Sequence, residues 1–116
     1  MAEDVVIYHN PRCTTSRKTL QLLRDRGIEP TIVKYLDDPP TQKRIIELID
    51  MLGVAPAALL RKKEKEYAEL GLSARSSKTE VARAIAAHPV LLERPIVVHA
   101  GKARIGRPPE SVLEIL

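Results

Sequence analysis

The stretch Val5-Val6-Ile7-Tyr8-His9-Asn10-Pro11-Arg12-Cys13 decides the fold. Val5 to Tyr8 is a continuous apolar run of strand length that ends at Asn10-Pro11, the pattern of a buried strand running into a turn. From Thr14 to Arg26 the periodicity becomes helical. Leu20 and Leu23 share one face, Leu22 flanks it, and Gly27 stands where a helix cap is expected. Thr31-Ile32-Val33-Lys34-Tyr35-Leu36 reads as a second strand. Strand, helix and strand in this span have the size of a βαβ unit, whose crossover is right-handed and whose strands are parallel.

Working outward, Asp38-Pro39-Pro40 breaks the chain and offers Thr41 as an N-cap. Ile45, Ile46, Leu48, Ile49 and Leu52 then define an amphipathic helix that Gly53 ends. Pro56 to Arg61 reads as a short helix with proline in its first turn. Lys62 to Leu70 reads as a charged helical stretch closed by Gly71. Ser77 and Glu80 form a capping box that opens another helix, and His88-Pro89 ends it. Ile96-Val97-Val98-His99 is a third strand, and Lys102-Ala103-Arg104-Ile105 returns as its hairpin partner after Ala100-Gly101. Gly106-Arg107-Pro108-Pro109 breaks again, and Glu110 to Leu116 is expected to be a last helix. The layout is β-α-β, a helical block over about 41–92, then β-β-α. This is an α/β class with a four-stranded mixed sheet. Residues 1–116 are expected to form one domain, with the helical block as an insertion.

Composition narrows the function. Aromatic residues make up only 3% of the chain, so the core must be aliphatic. Lys and Arg number 19 against 15 Asp and Glu, a mild net charge of +4. An anionic small substrate explains that excess at least as well as nucleic acid does. Stacking aromatics are nearly absent and no helix carries a dense basic stripe. A single cysteine leaves no internal disulfide, which points to a reducing cytoplasm. The acidic start Met1-Ala2-Glu3-Asp4 and the short run after it read as neither a signal peptide nor a membrane span. No Cys and His cluster has metal-ligand spacing, so no bound metal or cofactor is expected. A monomer is expected.

That lone cysteine, Cys13, is the candidate nucleophile. A lone cysteine is most often a small buried hydrophobe. Cys13 instead lies in a polar, proline-containing turn at a helix start, flanked by Arg12 and Arg17. Helix dipole, free N–H groups and cations all favour a thiolate there. His9 could stabilise that thiolate as an imidazolium or as a hydrogen-bond donor. Asn10 and Ser16 could donate to sulfur, although closing the turn is the commoner role for such residues. Cys-x-x-Cys is absent because Ser16 holds the second position, so a dithiol cycle within the chain is excluded. Cys-x5-Arg, the phosphate loop of cysteine phosphatases, is also absent, with Thr19 at the arginine position. Any redox cycle must borrow its second thiol. Arg61, Arg94 and Arg107 stand in rigid breaks, where a guanidinium fork suits a tetrahedral oxyanion.

The chain resembles the glutaredoxin-coupled arsenate reductases, a family of thioredoxin-like fold. The matching strings are Ile7 to Cys13, Thr15-Ser16-Arg17, Glu29 to Ile32, Tyr35-Leu36, Pro39-Pro40 and Ala58 to Lys62. Tyr67 to Leu72, His88-Pro89, Arg94 to Val98 and Arg107-Pro108 also fit. The resemblance implies that Cys13 attacks the arsenic of arsenate. It implies that Arg61, Arg94 and Arg107 hold the oxyanion, and that His9 and Ser16 stabilise the thiolate. Pro95 would be the cis-proline beside the active thiol. Glutathione would be the co-substrate that releases arsenite, and glutaredoxin the partner that recycles it. Two other readings share the motif: a non-catalytic regulator of the Spx type, and a glutathione-dependent thiol reductase of another substrate. Ser16 removes the two-cysteine switch common among the regulators, and the arginine trio has no purpose in one.

Overall fold

The computed structural model describes residues 4–116. The reading of Met1 to Glu3 lies outside the described residues. The described chain forms two compact units, residues 4–38 with 94–116 and residues 39–93.

The first unit is a sheet with helical segments. Strand β1 (Val5–His9) leads into helix α1 (Thr14–Asp25) and strand β2 (Thr31–Lys34). Strands β3 (Ile96–His99) and β4 (Lys102–Ile105) follow, then a 3-10 helix over Pro109–Ile115. The four-stranded order is β2-β1-β3-β4. β1 pairs parallel with β2 and antiparallel with β3, and β4 closes a hairpin on β3. Side chains alternate across a strand, so each strand divides its residues between two faces. One face carries Val5, Ile7 and Val97, which pack with Leu20 and Leu23 of α1 and with Val112 and Ile115. This aliphatic cluster fixes α1 on the sheet. It thereby fixes the β1–α1 turn, which holds Cys13.

Three elements differ from the sequence reading. β2 stops at Lys34 rather than running to Leu36. The carbonyl of Lys34 accepts from the N–H groups of both Asp37 and Asp38, at 3.0 and 2.9 Å, and that turn ends the strand. The stretch Glu110 to Leu116 forms no α-helix, because Pro109–Ile115 is a 3-10 helix with Leu116 as its C-cap. A short segment with few turns to share its nucleation cost tightens readily to 3-10 geometry. The Lys62 to Leu70 stretch contributes only helix α3 (Lys65–Glu69), because Glu64 is extended at its N-cap.

The second unit is helical. Helix α2 (Gln42–Leu52) starts at Thr41, whose hydroxyl accepts from the Arg44 N–H, and ends at Gly53 with φ of 65°. A left-handed residue there favours glycine. A 3-10 turn over Pro56–Leu59 precedes α3, and helix α4 (Lys78–Ala87) opens on the Ser77–Glu80 capping box. The buried face of α2 presents Ile45, Leu48, Ile49 and Leu52, and that of α4 presents Val81, Ala82, Ala84 and Ile85. A further 3-10 turn spans Pro89–Leu91. The Arg61 N–H donates to Leu91 O at 2.8 Å and the Glu93 N–H to Leu59 O at 2.7 Å, joining the middle of this unit to its C-terminal end. Among the described residues, no helix is long and apolar enough to cross a membrane.

Candidate active site

The turn between β1 and α1 is closed by its own polar groups. The Cys13 N–H donates to Asn10 O at 3.0 Å, and the Arg12 N–H donates to Asn10 Oδ1 at 3.0 Å. The Asn10 N–H donates to Ser16 Oγ at 3.0 Å. Asn10 and Ser16 thus close the loop on which the cysteine sits. Arg17 braces it from outside, with Nη1 on Pro11 O at 2.9 Å and Nη2 on Thr14 Oγ1 at 3.3 Å.

Cys13 is half-buried at the N-cap of α1. Its carbonyl accepts the first helical hydrogen bond, from the Arg17 N–H at 3.0 Å. No acidic residue lies in the first turn, so nothing there opposes a negative sulfur. The group that touches the thiol is Arg107. Its Nη2 lies 3.5 Å from Sγ, and its Nε donates to Arg94 O at 2.7 Å. One guanidinium therefore spans from the sulfur to the backbone just before Pro95. Arg94 is itself buried, and its peptide bond to Pro95 is cis. The bond between Arg107 and Pro108 is also cis.

His9 is buried at the end of β1 and shares a 2.6 Å hydrogen bond between Nδ1 and Ser16 Oγ. Burial pushes its pKa below the ordinary value, and the charges of Lys34, Arg24 and Arg17 push the same way. That direction favours the neutral imidazole, and the structure places His9 as a polar brace on Ser16. The linkage has a definite sign. A base whose folded pKa is depressed takes its proton more readily in the unfolded chain. Its stability contribution is complete above the unfolded value near 6.5 and is lost as pH falls below it. Urea unfolding at pH 8 and pH 5 is expected to show this loss, and His9→Gln is expected to flatten that part of the profile. Equal slopes for the two proteins would contradict it.

Of the three arginines, Arg107 has its guanidinium at Cys13, and Arg94 meets it through its backbone carbonyl. Arg61 belongs to the second unit, where its Nη1 pairs with Glu64 Oε2 at 2.9 Å. Among the described residues, no group of three or more His, Cys, Asp or Glu side chains is placed to hold a metal ion. Two residues of the site region escaped the sequence reading as site residues. Thr19 is fully buried in α1, and Gly106 sits against it at the end of β4. A buried threonine in an amphipathic helix and a glycine in a break were the available signals.

The family model described as the ArsC family matches residues 8–115. The chain belongs to the ArsC family. This ArsC-family chain is 46% identical to an arsenate reductase of Escherichia coli (strain K12), covering 97% of this chain and 81% of that one. It is 50% identical to the Escherichia coli (strain K12) protein named uncharacterized protein YfgD, covering 100% of this chain and 99% of that one. Among solved structures, an arsenate reductase from Vibrio cholerae superposes with a TM-score of 0.94 at 49% identity, covering 100% of both chains. The mixed sheet of this ArsC-family member is the thioredoxin-like arrangement that the sequence resemblance implied.

Proposed function

We propose that this protein reduces arsenate to arsenite, with Cys13 as nucleophile, glutathione as co-substrate and glutaredoxin as the recycling partner. The observation that carries the reading is the guanidinium of Arg107, 3.5 Å from Cys13 Sγ and braced on Arg94 O. A thiolate must approach an anionic substrate, so cations have to offset the repulsion. Arg107 supplies one at the sulfur, and Arg94 and Arg61 are assigned the other oxyanion contacts on the sequence resemblance. The arsenate reductases among the relatives support the same substrate.

The chemistry balances as follows. The thiolate bonds to arsenic, and one arsenate oxygen takes up two protons and leaves as water. The sulfur of glutathione then attacks Cys13 Sγ. The S–As bond breaks and its electron pair stays on arsenic, which falls from As(V) to As(III) and departs as arsenite. Cys13 is left in a mixed disulfide with glutathione. Glutaredoxin removes that glutathione by thiol–disulfide exchange and restores the thiol. One cysteine in the chain is enough because the second sulfur comes from solution. The need for reduced glutathione fits a reducing cytoplasm.

The test is NADPH oxidation in a mixture of the protein, arsenate, glutathione, glutathione reductase and glutaredoxin. A rate that requires arsenate, glutathione and glutaredoxin together is the expected result. No arsenate-dependent rate at millimolar arsenate with several glutaredoxins would remove the proposal.

A further inference from the structure

Gly106 is tightly enclosed. A Cβ at this position would lie 2.7 Å from Thr19 Oγ1, 2.9 Å from Pro95 Cγ and 3.0 Å from Thr19 Cγ2. No positive φ demands glycine at this residue, unlike Gly27, Gly53, Gly71 and Gly101. Gly106 is therefore a glycine for reasons of space. Its N–H donates to Pro95 O at 2.9 Å, which extends the β3–β4 ladder by one step. The Thr19 hydroxyl donates to Thr15 O at 2.9 Å, and Gly106 O is a second acceptor at 3.5 Å.

The next residue along the chain is Arg107. Cys13 caps the helix that carries Thr19, and Arg107 follows directly from the glycine that Thr19 touches. We infer that the Thr19–Gly106–Pro95 seam is the positioning device that holds the Arg107 guanidinium at the Cys13 sulfur. Without a Cβ at Gly106, α1 and the end of β4 approach closely enough for Nη2 to reach Sγ. Tightly packed interiors yield little, so a methyl group in the seam must move one of its walls. A shift of about 1 Å is enough to spoil a contact that depends on hydrogen-bond geometry. Gly106 and Thr19 touch no substrate in this scheme and act through Arg107.

This inference rests on Cys13 being the working thiol, so its test needs no arsenate and does not depend on the substrate assignment. The readout is the second-order rate constant for alkylation of Cys13 by iodoacetamide at pH 7, with a thermal melt as the check on folding. Arg107→Ala is expected to lower the rate roughly tenfold, the size of one charge-assisted contact. Gly106→Ala is expected to lower it by a similar factor. The double variant Gly106→Ala/Arg107→Ala is expected to be no slower than Arg107→Ala alone, because both changes remove one interaction. Adding Thr19→Ala to Gly106→Ala removes two of the three crowding atoms and is expected to recover most of the rate. Thr19→Val, which deletes the hydroxyl from the other wall, is expected to slow alkylation about twofold to threefold and keeps the test open if Gly106→Ala does not fold. Wild-type rates in Gly106→Ala and Thr19→Val would overturn the inference. So would losses from Gly106→Ala and Arg107→Ala that multiply in full in the double variant.

Discussion

Cys13→Ser is expected to abolish arsenate-dependent NADPH oxidation, with a loss of at least about 10³-fold, while leaving the fold intact. The two halves of that expectation have separate causes. Serine differs from cysteine at one atom, yet its hydroxyl stays protonated at neutral pH and is a far weaker nucleophile toward arsenic. It also cannot form the sulfur–sulfur bond through which two electrons reach arsenic. Both chemical steps of the proposed reaction therefore stop at the same substitution. The fold has no comparable need for sulfur. Cys13 is half-buried, and its backbone bonds, to Asn10 O and from the Arg17 N–H, survive the change. Its backbone is extended at the N-cap of α1, a position where serine is among the preferred residues. A melting temperature equal to or slightly above wild type should thus accompany the loss of activity. Residual turnover above a few percent of wild type would show that sulfur at this position is not the nucleophile.

The parts of this molecule that depend on near neighbours in sequence were legible, and the parts that depend on register were not. The apolar run from Val5 to Tyr8 and its stop at Asn10-Pro11 placed β1 and the turn, because strand length and turn chemistry are local. Thr41 and Ser77 marked helix starts for the same reason, since a cap is a bond between residues three apart. The end of β2 differs from the sequence reading because strand-forming residues continue through Tyr35-Leu36. What stops the strand is a backbone turn on Lys34 O, which leaves no mark in the apolar pattern. At the site, Cys13 was legible from its setting, but its contact with Arg107 spans 94 residues. Only the register of β4 on β3, with Ile105 opposite Ile96, brings that arginine to the level of the thiol. The lowered pKa of His9 was illegible for a related reason. Burial depresses its pKa first, and burial is a property of the folded chain.

Arg107→Ala is expected to cost about 3 kcal/mol in kcat/KM for arsenate, on the order of 10²-fold, and Arg107→Lys is expected to recover little of it. The reason lies in the two directions of the guanidinium. Nε donates to Arg94 O at 2.7 Å while Nη2 faces Cys13 Sγ at 3.5 Å. A planar fork makes both contacts at fixed separation, and the same guanidinium carries its charge to the face of the sulfur. An ammonium is a compact charge on a flexible stem. It can sit near the sulfur or reach the carbonyl, but it does not hold a rigid spacing between them. If Arg107 supplied only positive charge, lysine would restore most of the rate. The loss should also divide between the two kinetic constants. Arsenate binding weakens because a cation is gone, and kcat falls because charge grows on the oxygen that leaves arsenic. Steady-state kinetics of wild type, Arg107→Ala and Arg107→Lys measure this division directly. A lysine variant within about twofold of wild type in kcat/KM would mean that charge alone matters at this position. The paired geometry at Arg94 O and Cys13 Sγ would then have no role in the reaction.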